Sequence, residues 1–378
     1  MDNLLNKELK VKLECFKNLT QLELFQNMDE SLGTLSEEQA SFINHYALVS
    51  GNVRGLASHA ALTGRPMASR ERILKLFFLK AFLNIPTTKS ARGFILSSRS
   101  WRRICGFESK SEVPSEATLS RAFAEFSGDN AVASIHSGIL KTYVKETKTL
   151  LLNVSNDSTE IEAREKGEKK EKEKKAASPG KRGRKSRDER RNTPPPEPSN
   201  LELQGTRTLE ENLSGVPKEC DWGRKINSKG RIEQWRGYKL HIGAADCGVV
   251  TSAMLSSASM HDSQAAIPLM QMTEANVFFH MYDLMDAAYD AKAIAGFSAS
   301  RGRVAIIDPN RRSGCPRELA PDRKEHYKCR TVVERVNSEL KESFGARFVM
   351  VKGAAKVFTH LMFGVVLVTV RHLLDLLG

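Results

Sequence analysis

The chain has 378 residues, of which 40% are hydrophobic and 27% are charged, and its formal net charge is +13. Two or three domains with cores of their own fit this length, and the hydrophobic content excludes a chain that is disordered throughout. The excess of positive charge favours a nucleic acid or another anionic surface as partner.

The cysteines exclude two further classes of protein. They lie at positions 15, 105, 220, 247, 315 and 329, and no two form a Cys-x-x-Cys pair. This spacing predicts neither a structural zinc site nor a disulfide framework, so we interpret them as reduced thiols of a cytoplasmic protein. The first residues alternate charged and apolar side chains, and no secretory signal is predicted.

Residues 1–148 are predicted to be mainly helical. The clearest segment is residues 70–85, where apolar residues recur at helical spacing before Pro86. A shorter amphipathic helix is predicted after Ser115, which is a preferred N-cap residue. Several short helices with tight turns are typical of a helix-turn-helix-like bundle, so we interpret this region as a DNA-binding and oligomerisation domain.

Two groups of side chains in this region are candidates for contact with DNA. They are Ser115, Thr118, Ser120 and Arg121, and a basic and aromatic patch of Trp101, Arg102 and Arg103. Internal packing or simple solvation of these side chains is an equally good interpretation.

The first candidate catalytic residue is Asp157. The preceding run is rich in Leu and Val and predicts a strand that carries this carboxylate at its C-terminal end. The alternative from local propensity is that Asp157, beside Ser158 and Thr159, caps a turn.

From about residue 163 to 218 the sequence becomes charged and then rich in proline. Between Arg164 and Arg191 there are fourteen Lys and Arg against six Asp and Glu. Such a stretch buries too little apolar area to offset its ordering entropy, so we predict disorder. Because it lies between the first predicted strand and the later ones, we interpret it as an insertion into a single domain. Within it, Arg182 and Arg184 belong to a Lys-Arg-Gly-Arg-Lys run that resembles an AT-hook, a minor-groove element. A non-specific polycation is the other interpretation.

Strands and helices are predicted to alternate after this insertion. Two strands are joined at a turn over residues 246–248, a helix starts near Asp262, and a third strand ends at Asp286. Asp286 is the second candidate catalytic residue, and Asp290 is predicted to start the next helix. A further strand follows at residues 303–310.

Other residues of this part are given ordinary roles. Asp262 is interpreted as a helix cap and His261 as a positioning residue, and neither as a metal ligand. Trp222 and Trp235 flank a basic stretch and are able to stack on an unpaired base, although packing is the more common use of Trp.

Four polar residues near the C-terminus share one predicted helical stripe. They are Tyr327, Arg330, Glu334 and Lys341, while Val333, Val336, Leu340 and Phe344 form a separate apolar face. An exposed ion pair between Arg330 and Glu334 is the simplest alternative explanation. The later run LMFGVVLVTV is about half the length of the roughly 20 residues that span a bilayer, so a buried core helix is predicted.

Three motifs resemble those of bacterial insertion-sequence transposases of the Asp-Asp-Glu (DDE) type. They are the strand followed by D-S-T-x-I-x-A-R-E at Asp157, the D-x-x-Y-D pair at Asp286, and the order Tyr-x2-Arg-x3-Glu-x6-Lys around Glu334. The resemblance implies an α/β fold: a ribonuclease-H-like core with a mixed five-stranded sheet at residues 149–378, preceded by the helical domain.

The same resemblance implies a chemistry. Asp157, Asp286 and Glu334 are expected to be catalytic and to hold two Mg²⁺ ions, for which Mn²⁺ substitutes, because hard cations prefer oxygen ligands. Tyr327, Arg330 and Lys341 are expected to bind DNA near the cleaved bond, with Arg182 and Arg184 as further contacts.

The expected function is metal-dependent cleavage at the ends of a mobile element and strand transfer into target DNA. The expected partners are double-stranded DNA, as terminal inverted repeats and target, and further copies of the chain, with no membrane. Two alternatives remain at this point: a catalytically inactive DNA-binding remnant, and a general Mg²⁺-dependent nuclease.

Overall fold

The computed structural model describes residues 35–53, 68–147, 151–165, 198–226, 230–277, 279–309 and 318–377. The AT-hook-like run with Arg182 and Arg184 lies outside these ranges. Elements are numbered below in chain order within the described residues.

The described parts of the N-terminal region, residues 35–53 and 68–147, are mainly helical, as predicted. The helix predicted at residues 70–85 begins at Arg70 and ends at Phe82. The side chain of Ser115 caps a second helix by accepting from the backbone N–H of Thr118 at 3.3 Å. The helices are α1 (Glu37–Ser50), α2 (Arg70–Phe82), α3 (Thr88–Ser97), α4 (Arg99–Ile104), α5 (Glu116–Gly128) and α6 (Ala131–Thr147).

A mixed sheet forms the centre of the second half of the chain. Its strands are β1 (Asn153–Ala163), β2 (Asp221–Ile226), β3 (Ile232–Ala245), β4 (Val250–Ser257), β5 (Tyr282–Met285), β6 (Val304–Ile307) and β7 (Phe348–Val349). The strand order is β2-β3-β1-β5-β6. Strands β2 and β4 pair with successive parts of the same edge of β3, and the short β7 pairs with β1. The described residues form seven strands in this sheet where five were predicted, because β2 and β7 extend the sheet at positions without a strong period-two pattern.

The strand pairing explains how distant segments meet. β1 is antiparallel to β3 and parallel to β5, so the first strand lies between them. β3 and β4 form the predicted hairpin, and Gly248 takes a φ of 86° in its turn, a conformation that glycine adopts without steric cost.

The remaining helices cover both faces of the sheet. They are α7 (Asn200–Gln204), α8 (Leu209–Ser214), α9 (Ser263–Asn276), α10 (Lys292–Ser300), α11 (Pro321–Tyr327), α12 (Thr331–Ser343) and α13 (Ala354–Leu377). Helices α7 and α8 correct the prediction of disorder to residue 218. Leu201 is buried with Ile267 and Phe297, and the Asn212 amide donates to the Gln204 carbonyl at 3.0 Å, so this end of the insertion is ordered by tertiary contacts.

The last helix, α13, is a core element. It is long and apolar enough to cross a membrane, yet 72% of its most apolar stretch is buried in the protein. Phe363 packs edge-on against Phe78 of α2 with ring centroids 4.8 Å apart. One buried apolar cluster includes these two residues together with Leu240 of β3, so α13 joins the N-terminal helices to the sheet. The prediction of a buried core helix is confirmed.

Candidate active site

Asp157 lies in the middle of the central strand. The sequence predicted this residue at the C-terminal end of its strand, but β1 continues for six residues beyond it, to Ala163. The correction has a physical cause: the polar residues after Asp157 remain extended because they pair with β3, as Glu160 does with Lys239. The side chain of Asp157 is 17% exposed.

Asp286 directly follows β5. Its Oδ1 accepts a hydrogen bond from the backbone N–H of Ala288 at 2.9 Å, at the start of a short 3₁₀ turn. In the parallel pairing, Ser155 of β1 is aligned with Leu284 of β5, and each aspartate follows its aligned residue by two positions. Neighbouring strands lie about 5 Å apart, so this register brings the two carboxylates to the same level of the sheet.

The predicted polar stripe does not lie on one continuous α-helix. Tyr327 ends α11, residues 328–330 form a 3₁₀ turn, and Glu334 and Lys341 lie on α12. The predicted apolar face is confirmed: Val333, Val336, Leu340 and Phe344 are buried against the sheet. This packing fixes the side of α12 that carries Glu334.

One guanidinium contacts all three acidic residues. Nη2 of Arg330 lies 3.4 Å from Oδ1 of Asp157 and 3.7 Å from Oδ2 of Asp286. Nη1 of the same side chain lies 2.5 Å from Oε1 of Glu334. The three carboxylates, separated by up to 177 positions in the sequence, therefore surround a single positive charge. The guanidinium is itself largely buried, with 16% of its side chain exposed.

The electrostatics of the two aspartates follow from this enclosure. Burial raises the pKa of Asp157 to about 6, against the opposing effect of Arg330, and the charge of Asp286 adds to the rise. Burial also raises the pKa of Asp286, although the N–H of Ala288 and the Arg330 guanidinium oppose it. Crowded carboxylates of this kind favour a bound cation, because the cation removes the cost of their mutual repulsion.

Sequence reasoning missed Asn337, which lies one turn after Glu334 on α12. Its Nδ2 donates to Oδ2 of Asp157 at 3.1 Å, so Asn337 of α12 and Arg330, which directly precedes α12, each contact one oxygen of this carboxylate. Asn337 is buried, and its Oδ1 has no hydrogen-bond partner among the described residues. A polar residue at this spacing has no distinctive sequence signal, since helices carry Asn on exposed faces as well.

Lys341 also has a partner on the central strand. Its Nζ lies 2.7 Å from Oε1 of Glu160, which Lys225 of β2 approaches to 3.0 Å. Burial acts to raise the pKa of Glu160, but hydrogen bonds from the two lysines outweigh burial and lower it to about 2. Tyr327 stands at the other end of the stripe, and burial raises its pKa to about 12.

The chemistry of a cation site can be judged from these donors. Asp157, Asp286 and Glu334 supply only carboxylate oxygens, which suit Mg²⁺ or Mn²⁺, and 38% of the Asp286 side chain and 53% of the Glu334 side chain are exposed. Within the described residues, no three side chains among His, Cys, Asp and Glu already form a group able to hold a metal ion. The guanidinium of Arg330 supplies the positive charge between the three carboxylates.

The side chains of Asp262 and Asp290, which were predicted to cap helices, do not do so. The side chain of Asp262 does not cap α9 but binds Nζ of Lys239 at 2.9 Å, and Nδ1 of His261 lies 2.8 Å from the hydroxyl of Ser263. Asp290 precedes α10 without capping it, since the N-cap position is Ala291. Asp262 therefore forms an ion pair that links β3 to the start of α9.

The two tryptophans near the basic stretch differ sharply. Trp235 is buried and donates its indole N–H to the carbonyl of Tyr238 at 3.2 Å, whereas Trp222 is 60% exposed on β2. Gly223 leaves room for the buried ring of Trp235, because a Cβ at position 223 would lie 2.2 Å from that ring.

In the N-terminal region, Trp101 and Arg102 are buried, so this part of the basic and aromatic patch packs internally. Arg103 pairs with Glu108 at 3.1 Å. Ser115, Ser120 and Arg121 are exposed.

Comparison with known protein families identifies the chain. A family model described as Transposase DDE domain matches residues 201–369, and a second, described as Transposase domain (DUF772), matches residues 30–125. The chain belongs to the DDE transposases of insertion sequences. No curated protein and no solved structure matches it.

The transposase is therefore a phosphodiester-cleaving and strand-transferring enzyme with a ribonuclease-H-like catalytic region. Transposases of this family act on DNA and normally use divalent metal ions. The DDE match begins at residue 201, after Asp157, but β1 pairs with β3 and β5 of the matched region. The strand that carries Asp157 is therefore part of the same sheet as the matched transposase domain.

Proposed function

We propose that the transposase cuts DNA at the ends of its insertion sequence and joins the freed ends to target DNA, with Asp157, Asp286 and Glu334 as the catalytic carboxylates. The observation that carries this assignment is their convergence on Arg330, with contacts of 2.5 to 3.7 Å from one guanidinium. These three acids come from a central strand, the end of its neighbouring strand and a packed helix, and they would supply the oxygen ligands that this chemistry requires.

The same carboxylates would hold the divalent ions, and we assign two Mg²⁺ ions to them, with Mn²⁺ as a substitute. Bound there, the ions would supply an activated nucleophile and stabilisation of the leaving oxygen. The chain's own part is to hold the oxygens in place. Asn337 fixes one oxygen of Asp157, and the N–H of Ala288 fixes one oxygen of Asp286.

The cationic residues of the stripe are assigned to the DNA backbone. Arg330 is able to bind a phosphate with two parallel hydrogen bonds once its contacts with the carboxylates are exchanged for those with DNA. Lys341 offers a point charge seven residues further along the chain from Glu334, and the Tyr327 hydroxyl offers a hydrogen-bond donor. Arg182 and Arg184 are proposed as additional, weakly specific contacts to DNA.

The proposed partners are the terminal inverted repeats and the target duplex, bound by a homo-oligomer in the bacterial cytoplasm at the nucleoid. The proposed division into a helical DNA-binding domain at residues 1–148 and a catalytic domain at residues 149–378 is supported by the position of the two family matches, which fall on either side of it. Helix α13 crosses this division by packing on α2.

The test is a cleavage and joining assay with end-containing DNA and Mg²⁺. Asp157→Asn, Asp286→Asn and Glu334→Gln are each expected to lower the rate of strand cleavage by at least about a thousandfold, as for removal of a catalytic group, while leaving DNA binding unchanged. Asp246→Asn is the matched control, since it removes a carboxylate of the same region outside the cluster. Cleavage at the wild-type rate in any of the three variants would overturn the assignment of that residue.

The same assay separates the two alternatives. A catalytically inactive remnant would bind the DNA and cleave nothing with either Mg²⁺ or Mn²⁺. A general nuclease would degrade DNA without preference for the element ends and would join no strands.

A further inference from the structure

A cavity of about 420 Å³ lies beside the C-terminal end of the helix that carries Glu334. One wall comes from the end of α2 and the residues after it, in the N-terminal helical region. The opposite wall comes from the end of α12 and the segment that leads to β7. Its lining includes Lys80, Asn84, Lys341, Arg347, Phe348 and His360.

Direct contacts connect the two walls of the cavity. The side-chain amide of Asn84 donates to the carbonyl of Glu342 at 3.0 Å, and a Cβ on Gly345 would lie 3.2 Å from Oδ1 of Asn84. His360 of α13 lies 3.3 Å from the carbonyl of Gly345 through Nε2. The cavity is therefore built by contacts between elements of both halves of the chain.

The unusual feature of the cavity is Lys80. Only 7% of this lysine is exposed, and among the described residues its ammonium group has no hydrogen bond or ion pair. Burial lowers the pKa of Lys80 to about 8, with no carboxylate acting against it. The ammonium nitrogen itself is not enclosed, so the buried stem of Lys80 carries its charge to the cavity that this residue lines. An anion in the cavity would supply the counter-charge that Lys80 lacks.

The rest of the lining is also positive. Lys341 and Arg347 add two cations, while Glu342 lies 3.9 Å from Arg347 in a loose, exposed pair. Burial, followed by the charge of Lys80, lowers the pKa of His360 to about 3, so its imidazole is neutral and adds no further positive charge to the lining. Lys341 is matched by Glu160 at 2.7 Å, which leaves Lys80 as the unmatched charge in the described part of the lining.

The position of the cavity indicates which anion it takes. Lys341 belongs both to the lining and to α12, seven residues after Glu334. At 1.5 Å per residue this is about 10 Å along the helix axis. A DNA strand advances 3.4 Å per nucleotide, so a strand that runs along α12 would cover this distance in about three nucleotides.

We propose that this cavity is a binding site for a backbone phosphate of DNA about three nucleotides from the cleaved bond, with Lys80 as its buried cationic contact. The site rests on the proposed cleavage chemistry only for the identity of the cleaved bond. Through this site, the N-terminal helical region would contact the DNA strand that passes the carboxylates. Lys80 is a positioning residue in this proposal, since it does not touch the reacting atoms.

The experiment measures binding of fluorescently labelled element-end DNA by anisotropy, without divalent ions so that no cleavage takes place. Lys80→Met retains the volume and apolar stem of the side chain and removes its charge. It is expected to weaken binding about tenfold, as for loss of one charged hydrogen bond, and to lower the slope of log K against log salt by about 1. Lys80→Arg should retain most of the affinity, and Lys141→Met, at an exposed position on α6, is the matched control.

A second set of DNA probes locates the phosphate. Neutral methylphosphonates are placed one at a time along each strand near the end. Wild-type protein should lose about tenfold in affinity at one position, and Lys80→Met should be insensitive to the same substitution, because the contact is already missing. Equal losses in both proteins at every position would overturn the proposal.

Thermal unfolding separates this role from a structural one. Lys80 lies in the last turn of α2, where a cation is favoured by the helix carbonyls. If that were its purpose, Lys80→Met would lower the melting temperature and leave DNA binding unchanged, which would also overturn the proposal. Failure of this site would leave the assignment of Asp157 intact, because that assignment is tested by cleavage.

Discussion

Asn337 and Asp157 are joined by a hydrogen bond of 3.1 Å between residues 180 positions apart in the sequence. The bond links the middle of the central strand to the helix that carries Glu334. Because Asn337 is buried and Asp157 nearly so, the contact restricts the rotamer of the carboxylate. Supporting contacts of this kind commonly decide how well a cation site is formed.

Removal of this contact should weaken catalysis without unfolding the protein. Asn337→Ala is expected to lower the cleavage rate by about 10-fold to 100-fold and to weaken Mn²⁺ binding by a similar factor, as found for residues that orient metal ligands. The rate is measured on end-containing DNA, and Mn²⁺ binding by calorimetry. Ser338→Ala, at the exposed neighbouring position, is the control, and equal rates in the two variants would contradict the orienting role.

Arg330 should compete with cations for the three carboxylates. Its guanidinium stabilises their negative charge, so Arg330→Gln is expected to increase the affinity for Mn²⁺ several-fold in the absence of DNA. The same variant should cleave DNA more slowly, because the proposed phosphate contact is lost. Electron paramagnetic resonance measures free Mn²⁺ directly, and Arg335→Gln on the exposed side of α12 is the control. Weaker Mn²⁺ binding in Arg330→Gln would contradict this prediction.

A buried ionic network around Asp283, near the N-terminal end of β5, should contribute to the free energy of unfolding. Asp283 lies 2.8 Å from Nε2 of His280, 3.5 Å from Nε of Arg303, and accepts a 2.7 Å hydrogen bond from Ser298. Asp283→Asn leaves Arg303 buried without its counter-charge. We expect a loss of about 3 to 5 kcal/mol in the free energy of unfolding.

Denaturation in urea measures this loss, and Asp129→Asn, at an exposed position, should change stability by less than about 0.5 kcal/mol. A loss for Asp283→Asn as small as that of the control would show that the network contributes little.

Buried histidines should make the protein sensitive to acid. Burial lowers the pKa values of His136 and His241 to about 4 and that of His360 to about 3, all below the unfolded value of 6.5. Between these values and 6.5 the unfolded chain binds more protons than the folded one, so stability is lost as pH falls through this window. Between pH 7 and pH 4.5, each histidine accounts for about 3 kcal/mol at most.

The check is the free energy of unfolding at pH 7 and at pH 4.5. His241→Gln should reduce the difference between the two values, because one titrating group is removed. Asp157, whose folded pKa is raised to about 6, acts in the opposite direction, since its stabilising effect is present below its unfolded pKa and is lost as pH rises through 6. A pH dependence unchanged in His241→Gln would contradict the prediction.

Local patterns were sufficient for most of the elements. The helix at residues 70–82, the cap at Ser115, the hairpin around Gly248 and the apolar face of α12 all follow from spacing and turn chemistry. Local patterns failed where long-range contacts decided the outcome. β1 continues beyond Asp157 because β3 pairs with it, and α7 is ordered because Leu201 is buried against Ile267.

The sequence by itself determined the order and the surroundings of three carboxylates, because side-chain type and short spacing are local properties. Only the tertiary structure decided that Arg330 stands among them, that Asn337 holds Asp157 and that Lys80 is left unpaired beside Lys341. These relationships depend on the register between strands and on the packing of α2 and α12. Such contacts join residues far apart in the chain and leave no pattern within any one segment.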